Sequence, residues 1–302
     1  MQDVTGNILI SGASGILGTA IGAQLEEVGY KVYALDRHST TSPFHVDLGL
    51  EKIHLDPDIP LQAVINLAGE NISGKRWNAR QKRRIIESRT RTTRLLASAI
   101  ARSPQQPKVF LSASAIGFYG PTGIQSVDES APSGSGFLAD VARQWEAATQ
   151  PAIEAGIRTV HLRFGVVITK KAGVLGEMLL PFKLGLGGVV GNGQQWMSWT
   201  SLEDAVAVAL LCLENEGVNG PVNVVAPESV TNHTFTKILG KSLHRPTISP
   251  FLKAPVVRLL FGEMGDALLL SSARVIPARL QELGFQWQFP TLAEKLRDEF
   301  SN

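Results

Sequence analysis

Residues 7–18 read NILISGASGILG and carry the strongest structural signal in this 302-residue chain. The apolar run over residues 7–11 is typical of a buried strand, and the apolar spacing over residues 16–28 predicts a helix. Three glycines, Gly12, Gly15 and Gly18, join the two elements. Glycines in this position allow a tight turn, close approach of the backbone to a phosphate and close helix–strand packing. The stretch therefore predicts a phosphate-binding turn.

A second element extends this turn to a dinucleotide site, because Asp36 ends a predicted strand over residues 31–35. A carboxylate at the end of the second strand can hold the ribose of an adenosine group. The cofactor-binding residues expected from these two elements are Gly12, Ser14, Gly15, Ile16, Leu17, Gly18, Asp36 and Arg37. Asp36 would repel a 2′-phosphate and favours NAD, whereas Arg37 could bind that phosphate with its planar guanidinium. We expect NAD or NADP, with a preference for NAD that rests on Asp36.

Beyond this site, short β-branched runs alternate with longer helical patterns, which is typical of βαβ units. Further strands are predicted over residues 44–48, 63–67, 108–112, 158–164 and 221–225, and helices over residues 79–102, 137–155 and 203–214. This order predicts an α/β fold built on a doubly wound parallel sheet of the Rossmann type.

Two breaks interrupt the alternation. Residues 172–195 are rich in glycine and apolar residues and are expected to form a crossover or loop, and the regular pattern stops after Pro227. We therefore expect a dinucleotide-binding domain made of residues 1–165 and 200–226. Residues 166–199 and 227–302 are expected to form a second, smaller domain of mixed α/β type that covers the substrate.

The spacing Gly-xx-Gly-xx-Gly resembles the turn of the short-chain dehydrogenase/reductase superfamily, and further strings resemble its extended, epimerase-like branch. The resemblance implies that the cofactor is also lined by residues at the ends of two further strands, namely Asp47, Asn66, Ala68, Gly69 and Glu70. It places the serine of the reaction centre in the string FLSAS at residues 110–114. This branch also has characteristic residues at the positions that Arg163 and Asp204 occupy in the present sequence.

Several strings resemble, more narrowly, an atypical epimerase family with a small C-terminal domain of unknown function. They are NLAGEN at residues 66–71, SAIGFYG at 114–120, WE at 145–146, MLLPFKLGLGG at 178–188 and QWMSW at 195–199. The resemblance covers essentially the whole chain and implies an NAD(P)-dependent oxidoreductase or epimerase-like enzyme. Relatives in this family more often look like NADP binders, with a small residue where Asp36 stands.

The residue pair that usually performs the chemistry of this superfamily is absent. The superfamily uses a serine together with Tyr-xxx-Lys, in which the lysine lowers the pKa of the tyrosine. Here tyrosines occur only at positions 30, 33 and 119, no lysine lies between Lys108 and Lys170, and Phe137 stands near the tyrosine position. The candidate catalytic residues are therefore Ser114 and Tyr119. In the alternative reading, Ser114 is a buried strand serine and Tyr119 a packing aromatic.

The residues expected to contact the substrate are Arg163, Lys183, Gln195 and Trp196. An amide beside an aromatic ring suits a small polar substrate, such as a carbonyl compound or a sugar nucleotide, although Trp196 could equally pack beside Trp199. Three carboxylates are candidate proton carriers, namely Asp128, Glu129 and Glu146. The sequence thus predicts an NAD(P)-binding enzyme of the epimerase or reductase kind. The alternative is a non-catalytic protein that senses or regulates through bound NAD(P).

Composition excludes several other classes of protein. The chain is 44% hydrophobic with a net charge of +2, which excludes a mainly disordered protein. A single cysteine, Cys212, excludes an intrachain disulfide and favours a reducing, cytoplasmic compartment. The six histidines are scattered, so no metal site is expected. Residues 4–25 carry no charge, but they contain five glycines and lack a preceding basic residue, so neither a membrane span nor a secretory signal is expected.

Residues 75–94 concentrate positive charge, with nine basic residues against one acid, Glu87. A basic helix is one footprint of a nucleic-acid-binding protein, but no helix-turn-helix or RNA-binding string accompanies this one. We therefore expect a solvated helix face and no nucleic-acid partner.

Overall fold

The structure is a computed structural model that describes residues 6–37, 41–47, 50–171 and 173–301, apart from the side chains of residues 249–251. Residues 4 and 5 of the uncharged stretch, His38, Leu48 and Ala172 lie outside the described residues. The strands are β1 (Gly6–Ser11), β2 (Tyr30–Ala34), β3 (Phe44–Asp47), β4 (Lys52–Leu55), β5 (Leu61–Asn66), β6 (Val109–Ala115), β7 (Ser126–Val127), β8 (Arg158–Phe164), β9 (Val166–Ile168), β10 (Gly188–Val190), β11 (Trp196–Met197), β12 (Trp199–Ser201), β13 (Gly220–Val224), β14 (Val230–Thr231), β15 (Ile248–Leu252) and β16 (Arg274–Val275). The helices are α1 (Ile16–Glu27), α2 (Ala79–Ala101), α3 (Phe137–Ala147), α4 (Gln150–Glu154), α5 (Gly173–Lys183), α6 (Leu202–Glu214), α7 (Asn232–Ser242), α8 (Ala254–Phe261), α9 (Glu263–Gly265), α10 (Ala278–Glu282) and α11 (Leu292–Phe300), with a 3₁₀ turn at Ile116–Tyr119 and a π-helical turn at Asp266–Leu270.

Six parallel strands form the main sheet in the order β2-β1-β5-β6-β8-β13. In β1, the second strand from one edge, Ile8 lies opposite Val32 of β2 and Ala63 of β5. Strand β3 joins the β2 edge through a parallel bridge between Asp36 and His45 and forms an antiparallel hairpin with β4. The predicted α/β fold with a doubly wound parallel sheet is confirmed.

Helices cover both faces of this sheet, which explains why its strands are apolar runs without polar alternation. Ile8 and Ile10 of β1 are fully buried in the cluster that contains Ile21 of α1 and Val208 of α6. Leu9, pointing to the opposite face, is fully buried with α2 and α4 residues in a second cluster. Ile8, Leu9 and Ile10 of β1 therefore each pack into one of the two apolar clusters on either side of the sheet.

The order of the strands fixes where a ligand can bind. From β1 the chain moves to β2 and β3 on one side, and it then returns to β5 on the other side of β1. Such a reversal opens a crevice at the carboxyl ends of the two strands, where parallel α/β sheets bind their ligands. The glycine turn follows β1, and Asn66 ends β5, so both lie at this edge.

A third apolar cluster lies outside the main sheet. It combines residues from β9, β12, α5, α7 and the C-terminal segment, which is defined here as residues 254–301. Trp199, Phe235, Leu292 and Leu296 are almost completely buried in it. Strand β12 pairs in parallel with β9, and β11 pairs antiparallel with β14. This arrangement places a smaller, mixed region beside the carboxyl edge of the sheet.

The expected crossover or loop over residues 172–195 is wrong, because the described part of it contains helix α5 and strand β10. Glycines and Pro181 lowered the helical signal, but Leu175 and Phe182 of α5 are buried, and tertiary burial outweighs weak propensity. The predicted helix over residues 137–155 is two helices, α3 and α4. Pro151 lies in the first turn of α4, where proline is tolerated, and could not continue α3.

The C-terminal segment is fastened to the start of α6 by buried polar groups. The Asp204 carboxylate accepts hydrogen bonds from the backbone N–H groups of Gln288 (2.7 Å) and Phe289 (3.2 Å). Lys295 of α11, which is fully buried, donates to Glu203 (2.8 Å) and forms an ion pair with Glu299 (2.9 Å). Burial alone would lower the pKa of Lys295, but these carboxylates outweigh it and raise the pKa. The lysine therefore stays charged inside the fold.

Among the described residues, no helix combines the length and the apolar character needed to cross a membrane. The 23-residue α2 has the length, but it is the basic helix.

Candidate cofactor and active site

Two of the glycines in the turn after β1 are required by close packing. Gly12 has a φ of +79°, and a Cβ atom there would lie 2.9 Å from the backbone of Leu67 and Ala68. A Cβ atom on Gly18 would lie 2.2 Å from the carbonyl oxygen of Gly12. Any larger residue would push the turn away from β5 or from its own helix. The turn is therefore built tightly against the carboxyl edge of the sheet.

The N-terminus of α1 lacks the capping groups that helix starts usually have. Gly15 is the N-cap residue, no side chain caps the first N–H groups, and the first turn contains no acidic residue. Ser14 and Gly15 are exposed. Free N–H groups and the positive end of the helix dipole together bind anions such as phosphate. The geometry of this turn thus fits the pyrophosphate of a dinucleotide.

The predicted adenosine-side residues lie at the same edge. Asp36 follows β2, and its backbone pairs with β3 through bonds from Asp36 N–H to Phe44 (2.9 Å) and from Val46 N–H to Asp36 (2.8 Å). Arg37 is exposed beside it. Asp47 ends β3, and its carboxylate accepts a hydrogen bond from Leu50 N–H (3.0 Å). The structure thus places negative and positive groups together on the β2 side of the crevice.

On the other side of the crevice, helix α2 holds the loop after β5. Asn66 is fully buried and donates to Thr93 Oγ1 (2.7 Å), while its Oδ1 atom has no partner among the described residues. Glu70 N–H donates to Ser88 Oγ (3.1 Å), and Arg89 donates to the Glu70 carbonyl (3.0 Å). Ala68 is buried and Gly69 exposed. Asn66 at the end of β5 and the loop residues after it therefore lie at the carboxyl edge of the sheet, held in place by contacts with α2.

The two candidate catalytic residues belong to one buried hydrogen-bond network. The Ser114 hydroxyl donates to Glu146 Oε1 (2.7 Å), and Arg163 clamps both oxygens of that carboxylate (2.8 and 2.9 Å). Arg163 also donates to the Tyr119 hydroxyl (2.8 Å), which itself donates to Asn223 Oδ1 (2.7 Å). Strands β6, β8 and β13, helix α3 and the 3₁₀ turn at Ile116–Tyr119 supply these groups. The structure thus joins Ser114 to Arg163 through Glu146, and Tyr119 to the same network through Arg163.

Burial controls the charge states in this network. Burial raises the pKa of Tyr119, and the nearby Arg163 guanidinium offsets this only in part. Burial opposes the charge on Arg163, but hydrogen bonds to Glu146 outweigh it and raise the pKa. Burial lowers the pKa of His161, whose Nδ1 atom lies 4.0 Å from Glu146. The network therefore contains a stable Arg163–Glu146 ion pair and a tyrosine that is a weaker acid than usual.

The structure does not bring the other three predicted substrate residues into this network. Lys183 is exposed at the end of α5. The Gln195 amide donates to the carbonyls of Val190 and Leu269 (both 3.0 Å), and Trp196 stacks on Arg274, with 4.5 Å from its guanidinium carbon to the ring centre. No hydrogen bond or ion pair of the described residues joins these three side chains to Ser114. Gln195 and Trp196 instead attach their strand to the C-terminal segment.

Two members of the site were missed from the sequence. Asn223 and His161 contact the network from buried strands, where a polar residue is itself an unusual signal. Of the candidate proton carriers, only Glu146 touches Ser114, whereas Glu129 accepts from Asn223 N–H (2.9 Å) and Asp128 caps the turn at Ser130.

Several charges of the basic stretch are engaged within the protein. Lys82 pairs with Glu263 (2.7 Å), Arg84 with Glu70 (3.2 Å) and Arg91 with Glu51 (2.6 Å). These pairs attach α2 to the C-terminal segment, to the loop after β5 and to the β3–β4 hairpin.

Comparisons with known proteins agree with this geometry. The profile of the NAD dependent epimerase/dehydratase family matches residues 8–226, and a domain of unknown function (DUF1731) matches residues 254–299. An epimerase family protein of Mycobacterium leprae is 38% identical over 291 residues, which cover 96% of this chain and 94% of the relative.

Two solved structures extend the comparison. The crystal structure of human epimerase family protein SDR39U1 with NADPH is 34% identical, with a TM-score of 0.89, and the match covers 98% of this chain and 99% of that chain. UDP-glucose 4-epimerase of Thermus thermophilus, in complex with NAD, is 17% identical with a TM-score of 0.73, over 98% of this chain and 99% of that chain. At that identity the second match establishes a likeness of fold.

Proposed function

This chain belongs to the NAD dependent epimerase/dehydratase family, and we propose that it binds a nicotinamide dinucleotide at the carboxyl edge of its parallel sheet. The observation that carries this proposal is the uncapped, acid-free N-terminus of α1 behind a glycine turn. The relatives support it, because the human protein was crystallised with NADPH and the Thermus thermophilus enzyme with NAD. The glycine turn would hold the pyrophosphate. Asp36, Arg37 and Asp47 would face the adenosine half, and the loop from Asn66 to Glu70 the nicotinamide half.

We propose a preference for NAD over NADP, which rests on the charge of Asp36. A carboxylate accepts ribose hydroxyls but repels a 2′-phosphate. Paired fluorescence titrations with NADH and NADPH test this, with Asp36→Ser as the variant. The wild-type protein should bind NADH more tightly, and the variant should gain about tenfold in affinity for NADPH. Tighter binding of NADPH by the wild-type protein would contradict the preference but not the dinucleotide site.

We further propose that the protein is an enzyme that acts on a small polar substrate, a carbonyl compound or a sugar nucleotide. The bound nicotinamide would supply hydride exchange. Ser114 would accept a hydrogen bond from the hydroxyl of the alcohol form of the substrate, because its own proton is directed to Glu146 and its lone pairs remain available. Glu146 is the carboxylate in contact with this hydroxyl and is fixed by Arg163, so it would orient Ser114. Tyr119 would supply a further polar group on the same side of the substrate as Ser114.

A non-catalytic, NAD(P)-sensing protein is the second candidate, and the state of Tyr119 favours it. Its hydroxyl is engaged by Arg163 and Asn223, and burial raises its pKa, which is opposite to the shift that a general acid needs. Helix α3 carries no lysine that could reverse this shift.

A panel of carbonyl compounds and sugar nucleotides, incubated with the protein and its cofactor, separates the two candidates when both cofactor oxidation and product formation are followed. An enzyme should oxidise the reduced cofactor with at least one carbonyl compound, or convert at least one sugar nucleotide into its epimer without net oxidation of the cofactor. Ser114→Ala should then bind cofactor normally but lose turnover, and normal turnover in this variant would remove Ser114 from the mechanism. Tight cofactor binding with neither cofactor oxidation nor conversion of any sugar nucleotide would favour the sensor.

We also propose that residues 166–199 and 227–302 act as a smaller domain that covers the substrate, beside a dinucleotide domain of residues 1–165 and 200–226. The separate apolar cluster around Trp199 supports this division.

A further inference from the structure

Exposed apolar side chains are concentrated on two segments of the chain, residues 174–186 and residues 248–260. Fourteen large apolar residues are exposed within the described part of the chain, and eight of them lie on these segments. The eight, which we call the apolar surface, are Val174, Leu180, Leu184, Leu186, Ile248, Val256, Leu259 and Leu260. Scattered exposed apolar residues are normal, whereas a concentration of them marks a place where the protein meets another surface.

The two segments are neighbours in space at one end. Strand β10, which follows the first segment, pairs in parallel with β15, with which the second segment begins. The Ile248 N–H group donates to the Gly187 carbonyl (3.0 Å), and Arg245 donates to the Lys183 carbonyl (2.8 Å). The part of the apolar surface that follows α5 is therefore joined to the part that precedes α8.

At the other end, both segments reach the short loop of residues 72–77. The Ser73 hydroxyl donates to Glu177 of α5 (3.4 Å). One terminal nitrogen of Arg76 lies 3.2 Å from the place where a Cβ atom of Gly262, just after α8, would be. Helices α5 and α8 therefore flank one loop, and their exposed apolar residues lie in one region of the protein surface.

Helix α8 carries more apolar residues than the fold uses. Its sequence, APVVRLLF, contains five large apolar residues, and in this fully described helix only Val257 is buried. A surface helix normally packs an apolar stripe of about three to four residues per two turns against its own protein. Val256, Leu259 and Leu260 are thus left to contact a partner.

Unpaired positive charge adjoins the apolar surface. Five exposed cations on the segments, their flanks and the loop form no ion pair with another described residue, namely Lys75, Arg76, Lys183, Arg245 and Lys253. A sixth cation, Arg258, pairs with Asp266 (2.8 Å). Residues 72–77, 174–187 and 245–262 contain one acid, Glu177. The rim of the apolar surface is therefore positive and attracts an anionic partner.

The composition of this surface indicates which partner fits it. A second copy of the chain would bring two sets of unpaired cations together, and like charges repel. Protein partners are mainly anchored by tryptophan, tyrosine and arginine, whereas all eight residues of the apolar surface are aliphatic. Aliphatic side chains beside lysine and arginine suit an anionic bilayer, because the apolar groups enter the boundary between headgroups and acyl chains while the cations meet lipid phosphates.

We propose that the apolar surface docks on the anionic surface of a lipid bilayer. Leucines of α5 and α8 enter the boundary between headgroups and acyl chains, and Lys183 and Lys253 contact lipid phosphates. The protein then lies on the membrane without crossing it, in agreement with the lack of a spanning helix among the described residues. The proposal does not depend on the dinucleotide function.

Co-sedimentation of the full chain with vesicles tests the role of the apolar residues. The wild-type protein should bind vesicles of phosphatidylcholine and phosphatidylglycerol at least about tenfold more tightly than vesicles of phosphatidylcholine alone. Leu180→Gln combined with Leu260→Gln should weaken binding to the anionic vesicles by at least about tenfold, because less apolar area enters the bilayer. The matched control is Ile124→Gln combined with Ile153→Gln, at exposed residues outside the apolar surface, which should bind like the wild-type protein.

A second pair of variants tests the role of the charges. Lys183→Gln combined with Lys253→Gln should weaken binding to the anionic vesicles by about tenfold or more and reduce its dependence on salt. The matched control is Lys31→Gln combined with Lys108→Gln, which removes two exposed lysines near the amino ends of β2 and β6. It should bind like the wild-type protein.

Failure of the wild-type protein to bind the anionic vesicles would overturn the proposal. Equal binding to the two kinds of vesicle would also overturn it, because the cations would then play no part. An equal loss in a control and its matched variant would place the contact outside the apolar surface. A concentration-dependent dimer that is dispersed by Leu180→Gln combined with Leu260→Gln would assign the surface to a second copy of the chain and likewise overturn the proposal.

Discussion

The N-termini of α1 and α6 solve the same physical problem in opposite ways. Every α-helix starts with N–H groups that its own turns cannot satisfy. In α6, Ser201 caps Asp204 N–H (2.8 Å), and two acids, Glu203 and Asp204, lie in the first turn. In α1, the cap is a glycine and no acid is present. The two helices pack in the same core, so the contrast is local. One terminus is completed by the chain itself, and the other is left open to an anion.

The largest expected effect comes from breaking the completed terminus with Asp204→Ala. The variant leaves the N–H groups of Gln288 and Phe289 without an acceptor inside the protein. It should lose about 3 kcal/mol of unfolding free energy, since each unsatisfied buried group costs about 1–3 kcal/mol. Urea unfolding measures this loss. Asp58→Ala, at an exposed aspartate, is the matched control and should change stability by less than about 0.5 kcal/mol. A loss as small as that of the control would show that the first-turn carboxylate of α6 does not hold residues 288 and 289 in place.

The next effect comes from closing the open terminus with Gly15→Asp. The extended backbone of Gly15 (φ −76°, ψ 166°) suits an aspartate N-cap. The cap should change the unfolding free energy by less than about 1 kcal/mol, because its gain is offset by a new Cβ atom 3.3 Å from the Gly12 carbonyl oxygen. It should also weaken dinucleotide binding about tenfold, because it occupies the anion site with a negative charge.

Gly15→Asn separates the two causes, since it caps the helix without a charge. Its affinity for the dinucleotide should lie between those of the wild-type protein and Gly15→Asp. Thermal melting and the same titrations measure both quantities. Full dinucleotide affinity in Gly15→Asp would mean that α1 does not hold the anion.

The smallest expected effect comes from removing one serine hydroxyl near the start of each helix. Ser201→Ala removes the cap of α6 and should cost about 1 kcal/mol of unfolding free energy. Ser14→Ala removes a serine beside the start of α1, which caps nothing, and should cost less than about 0.5 kcal/mol. Chemical unfolding of the two variants under one set of conditions gives the difference directly. Equal losses would remove the contrast between the two helix starts.

The fold was largely predictable from sequence because its signals are local. The apolar runs, the glycine turn and the residue Asp36 each lie within a short window, and the parallel sheet follows from the alternation of strands and helices. Helix α5 was not predictable in this way, since its helical state depends on burial of Leu175 and Phe182 against elements far along the chain. Its glycines and Pro181 point locally to a loop.

The candidate site was predictable only where it is made of backbone. The glycine turn can be recognised from the spacing of its residues. By contrast, the Ser114–Glu146 contact joins residues 32 positions apart, and the Tyr119–Asn223 contact joins residues 104 positions apart.

The attachment of the C-terminal segment to Asp204 also sets an order of events during synthesis. The N–H donor at Gln288 is made 84 residues after the carboxylate that receives it. At ribosomal speeds of about 5–20 residues per second, the start of α6 therefore waits roughly 4–17 s for its partner. The first five strands of the main sheet can pair during that interval, whereas the Trp199 cluster cannot close until Leu292 and Leu296 have left the ribosome. In nascent chains of this protein, the Trp199 cluster therefore stays open until the segment containing Leu292 and Leu296 has been made.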